Sequence, residues 1–226
     1  VENWQVHPGY LSPRLLMQEH DFLQEMARAP IQQILDNNST CHAVILHHRF
    51  QILAAEMELT GLQPQPLPIL EPGHEVFRQI SVNGFKEEMN LLKQLYDGGE
   101  RGRIAPPKNG GELWSHYKYS VMARSQGHYK LLGNITSKLR RGDDDSPLIT
   151  AISQAMQLPV SMGGLRNALQ HMWGYVSDET VLPKNQILSW SLPHLAREIQ
   201  KRSKKMKQSY LLSSIALSEL MVWLPH

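Results

Sequence analysis

The chain has 226 residues, 41% of them hydrophobic and 19% charged, enough for one large or two small globular domains. One cysteine, Cys41, excludes an intramolecular disulfide and a cysteine-built metal cluster, and no apolar run approaches the roughly 18 residues that span a bilayer. The net charge of +2 conceals a split: residues 1–112 hold 9 Lys/Arg against 14 Asp/Glu, whereas residues 113–226 hold 14 against 7. A basic second half points to an anionic partner. No signal peptide is read at the start, so a cytoplasmic location is expected, with no membrane and no cofactor implied.

An arm over residues 4–11 precedes a helix predicted over 12–28, with Ser12 as cap and Pro13 in the first turn. Leu15, Leu16, Phe22, Leu23 and Met26 fall on one face, and Glu19 falls on the same face. A carboxylate facing a core needs a partner. Either Glu19 accepts hydrogen bonds from a helix end or pairs with a histidine, or it is a tuned acid beside a pocket. A short helix is expected over 30–36. A long one over 41–60 follows, capped by Ser39 or Thr40, ended by Gly61, with Leu46, Phe50, Leu53 and Met57 inward. His47 and His48 are adjacent and point about 100° apart, so they do not chelate one metal; no metal site is assigned. A proline-rich strap over 63–73 precedes a helix over 84–96. Residues 97–111, rich in glycine and proline, read as the linker between domains 1–105 and 112–226.

The second half reads as helices over 112–124, 127–141, 147–158, 163–177, 184–207 and 208–223. Lys130, Asn134, Lys138 and Arg141 line one face of the second of these, which Gly142 should end. Asp143, Asp144 and Asp145 suit the start of the next. Arg166, Asn167, Gln170 and His171 form a polar row. Arg197, Lys201, Arg202, Lys204, Lys205 and Lys207 place six cations within eleven positions. No strand ladder is visible, so the fold should be all-α: two helical domains or one bilobed helical domain.

The run from Trp114 through Ser-His-Tyr-Lys-Tyr to Gly133, the block Arg166–Tyr175 and, more weakly, Tyr210-Leu-Leu resemble the YbgA-like domain of unknown function. That family occurs beside photolyase genes or fused to thiouracil-desulfidase-like domains, so the resemblance implies handling of nucleic acid, DNA or tRNA. Residues 1–70 resemble the phage-type pyrimidine-dimer DNA glycosylase/AP lyases. The likeness lies in Trp4–Leu11, Leu15–His20 and His47–Met57. It implies a DNA-repair reaction in which the α-amine of residue 1 attacks C1′ to form an imine, helped by a helix glutamate. An α-amine with a pKa near ~8 is partly unprotonated at neutral pH and suits that task. Val1 and Glu19 are the candidates. Valine is small enough for removal of an initiator methionine, and a start at Val1 fits a mature amine as well as a trimmed chain. In this alignment Phe22 stands where the family has its glutamate, and Asp21 and Glu25 replace phosphate-binding arginines.

A nucleic-acid-acting protein of DNA repair or RNA modification is therefore expected. Lys118, Arg124, Lys130, Lys138, Arg141 and Arg166 are expected on phosphates, Tyr119, His128 and Tyr129 on bases, and Asn167 and His171 on either. For Tyr117, core packing is expected instead. The alternatives are a non-catalytic tRNA- or DNA-binding accessory protein, or a helical protein-interaction module whose protein partner is unknown.

Overall fold

A computed structural model describes residues 6–28, 42–66, 82–140, 142–177 and 187–224. Among the described residues every regular element is a helix, and the fold is all-α. The chain divides into two compact units, Val1–Pro106 and Pro107–His226. Val1, the short helix expected over 30–36, the caps Ser39 and Thr40, and Arg141 lie outside the described residues, as does most of the proline-rich strap.

In the first unit, α1 (Pro13–Arg28) starts where Ser12 Oγ accepts the Leu15 N–H at 3.3 Å. Leu15, Leu16 and Leu23 are buried, and α1 packs on α2 (His42–Thr60), which buries Phe50, Leu53 and Met57. Phe22, expected on the buried face, is half-exposed. Gly61, with φ +84°, ends α2, and the Leu62 N–H reaches back to Met57 O at 2.8 Å. A third helix, α3 (Val82–Asp97), buries Phe85 and Leu92.

The expected linker does not begin at residue 97. Glu100 accepts from Ser12 Oγ at 2.6 Å and Arg14 Nε at 2.7 Å, and the Ile104 N–H donates to Gly9 O at 2.8 Å. Gly102 lies so close to Tyr10 that a Cβ there would stand 2.5 Å from its carbonyl. Residues 100–104 are a strap laid over the turn Pro8–Tyr10, and Ile104 is fully buried.

The second unit is built around α4 (Gly110–Arg124), capped by Asn109 and buried on nearly every side from His116 to Arg124. Packed on it are α5 (Gln126–Lys138), α6 (Ser146–Met156) and α7 (Met162–Trp173). α5 ends at Lys138, short of the expected Gly142, because Leu139 turns extended and sets its side chain against Gly110. The aspartates work as turn closers rather than as a cap: Asp143 accepts the Arg140 N–H, and Asp144 accepts from Ser146. No side-chain cap bond comes from Asp145. α8 (Leu192–Lys205) packs on α7.

The single last helix expected over 208–223 is broken into α9 (Ser209–Leu212), α10 (Ala216–Glu219) and a 3-10 turn, Leu220–Trp223. The break is a long-range effect. Ser214 Oγ and the Ile215 N–H both donate to the carbonyl of His116 on α4, so the chain leaves helical geometry to bind the central helix.

Candidate nucleic-acid interface

Burial first separates structural charges from available ones. Glu19 is 3% exposed, and Arg49 of α2 takes both its carboxylate oxygens, at 2.8 and 3.0 Å. The same guanidinium donates to the carbonyl of Val6. Neither a helix end nor a histidine but an arginine therefore answers the buried carboxylate. Arg103 grips the fully buried Glu56 in the same bidentate way. In the second unit Arg124, expected on phosphate, is buried, paired with Glu219 and bonded to Ser120 O at 3.1 Å. A guanidinium so enclosed holds α10 to α4 and does not face a ligand.

The remaining sequence candidates spread over several faces. Lys130 and Lys138 are exposed on α5, and His171 is exposed on α7. His128 is half-buried with its ring against Ser125 Oγ at 3.0 Å, and Tyr129 packs on Trp114 with ring centroids 5.5 Å apart. Arg166 donates to the Trp190 carbonyl at 3.2 Å, and Asn167 to Gln126 at 3.4 Å. These four side chains are engaged in packing and local bonds rather than gathered on one face.

A different group is gathered. Lys118 Nζ lies over the rings of Tyr119 and Tyr210, at 4.7 and 4.6 Å from their centroids, and 5.8 Å from that of Tyr175. Tyr175 and Tyr210 stack at 4.8 Å with planes 23° apart, and both meet Tyr119 edge-on. Tyr119, 2% exposed, is the floor of this cluster rather than a surface ring. Burial pushes its phenol far above the ordinary range, and the neighbouring phenols of Tyr175 and Tyr210 push it the same way, so it stays protonated. Each cation–aromatic contact contributes about 0.5–2 kcal/mol.

Next to the tyrosines stands the end of α8. Its last turn carries Arg202, Lys204 and Lys205, and Lys207 follows with φ 50°, a left-handed backbone where glycine is usual. The turn closes through Gln208 N–H to Ser203 O at 3.0 Å and Lys207 N–H to Lys204 O at 3.2 Å. Gln208 then donates to the Tyr175 carbonyl at 3.0 Å, and Tyr210 is two residues on. Lys204, Lys205 and Lys207 are exposed, and none has a carboxylate within ion-pair range among the described residues. Arg202 instead lies over the Trp173 ring at 4.7 Å and bonds Glu198.

Residues 118–219 match a family described as a protein of unknown function, DUF1722. The matched segment contains Lys118, all three clustered tyrosines and the basic end of α8. It is consistent with the YbgA-like resemblance of the second half. The match does not reach the first unit, where the glycosylase likeness gains no support. No curated protein and no solved structure matches the chain.

Tyr175 and Tyr210 were not singled out by the sequence as binding residues, although both lie in the stretches that carry the YbgA-like resemblance. Among the described residues no group of three or more His, Cys, Asp or Glu is placed to hold a metal ion. None of the described helices is long and apolar enough to cross a membrane.

Proposed function

We propose that the second unit binds nucleic acid, DNA or tRNA, through the phosphate backbone, with the end of α8 as the principal contact. The observation that carries this reading is that Lys204, Lys205 and Lys207 are exposed and, among the described residues, have no carboxylate within ion-pair range, in the half of the chain with an excess of seven positive charges. Cations left without local partners retain their attraction for a polyanion, and phosphate neutralisation supplies most of non-specific affinity. Lys130 and Lys138 on α5 and Arg140 after it are exposed as well. In the first unit the Glu19 carboxylate is engaged at both oxygens by Arg49, so no reaction is assigned to it.

The test is a fluorescence-anisotropy titration of the full chain against labelled oligonucleotides at low salt. Replacing Lys204, Lys205 and Lys207 together with glutamine should weaken binding at least about tenfold while leaving the melting temperature nearly unchanged, since exposed charges contribute little to folding. Equal affinity for wild type and the triple variant would remove the α8 end from the interface.

A further inference from the structure

The tyrosines beside the lysines do not contact phosphate by charge, so their clustering has a separate cause. Buried tyrosines commonly pack against aliphatic neighbours or donate to carbonyls. Here three of them converge on one lysine, from α4, from the turn after α7 and from α9. Tyr119 forms the base, and the other two rings meet it edge-on, with centroids 6.5 and 6.4 Å away. Tyr210 is half-buried and in contact with both Lys118 and Tyr175, whereas Tyr175 is 41% exposed. A two-ring stack thus ends in an accessible aromatic surface, with its carbonyl tied to Gln208, one residue beyond Lys207.

We infer that Tyr175, backed by Tyr210 and braced by Lys118, is a stacking platform for an unpaired base, and that the ligand of the second unit is single-stranded or looped nucleic acid rather than plain duplex. This inference rests on the proposed function and narrows it. The physical reason is geometric. Bases in a regular duplex already stack on one another and expose only edges, so an aromatic face serves only a base that is free to leave the stack. The ring pair is already stacked before any ligand arrives, which lowers the ordering cost that falls on binding. Lys204, Lys205 and Lys207 stand on the chain segment that leads into Tyr210, where the phosphates flanking a stacked base require cations.

The experiment compares a labelled single-stranded oligothymidylate with a blunt duplex of equal length, using the full chain and its variants Tyr175→Ala and Tyr175→Phe. Loss of one base–aromatic stack corresponds to roughly a 5- to 150-fold fall in affinity. Tyr175→Ala should show that fall for the single strand and leave the weaker duplex binding unchanged, while Tyr175→Phe retains the ring and the affinity. Tyr210→Leu, judged by its melting curve, reports whether the backing ring is needed. Three outcomes overturn the inference. Wild type that binds single strand no better than duplex, or a Tyr175→Ala variant that binds both as wild type does, removes the platform and leaves the backbone-binding proposal standing. A wild-type chain that binds neither probe removes both.

Discussion

Within the first unit, His7 lies below the surface, its Nδ1 accepting the Gly9 N–H at 3.0 Å. Burial lowers its pKa well below the ordinary histidine value, and the positive charges of Arg103, Arg49 and His48 lower it further. Its side chain is therefore neutral in the folded protein at neutral pH. The unfolded chain takes up a proton near pH ~6.5, which the folded chain resists. Stability is thus fully present above that pH and falls as the pH drops below it, at up to about 1.4 kcal/mol per pH unit for this one group. The urea midpoint measured between pH 7 and pH 5 should fall more steeply for wild type than for His7→Asn, which keeps an acceptor for the cap. Parallel slopes would locate the acid sensitivity elsewhere. The same residue scale explains Glu19, whose place on the core face was visible in its spacing. That its partner is Arg49, thirty residues on, was not visible, because no local pattern links residues on two separate helices.

At the scale of elements, the second unit depends on how closely α7 approaches α4. The Ser161 N–H donates to Ala123 O at 3.2 Å, and a Cβ on Gly164 would stand 2.2 Å from that same oxygen. Gly163, one residue earlier, has nothing within 4 Å of where its Cβ would be. Gly164→Ala should therefore lower stability by about 1–3 kcal/mol, whereas Gly163→Ala should be neutral or slightly stabilising. Thermal melts of the two variants check this, and equal melting temperatures would mean α7 shifts freely away from α4. The neighbouring helices show the limits of local signals. The starts of α4, α5, α7 and α8 are set by Asn109, Ser125, Ser161 and Ser191, whose side chains accept from the first turn. The ends of α5 and the break after α9 are set by tertiary partners, Gly110 and the His116 carbonyl.

At the scale of the whole molecule, charge is the property that distinguishes one half from the other. A chain of net +2 attracts a polyanion weakly as a sphere; seven excess positive charges over residues 113–226 attract it by one part only. Binding to single strands should weaken log-linearly with salt, with a slope of roughly −0.7 per phosphate neutralised. The triple glutamine variant at Lys204, Lys205 and Lys207 should flatten that slope by about 2 units, measured by anisotropy across a salt series. An unchanged slope would show that those lysines never meet phosphate.

The sequence by itself determined the all-α class, most helix starts, the inward stripe of α1 and α2, and the uneven distribution of charge, because each of these depends on residues within a few positions of one another or on composition alone. Tertiary structure decided which charges are available. Arg124 and Glu219 are 95 positions apart and neutralise each other inside the unit, while Lys204 through Lys207 remain outside. It also brought Lys118, Tyr119, Tyr175 and Tyr210 into one cluster from three separate elements, since ring stacking and cation contacts depend on distances that no linear spacing encodes.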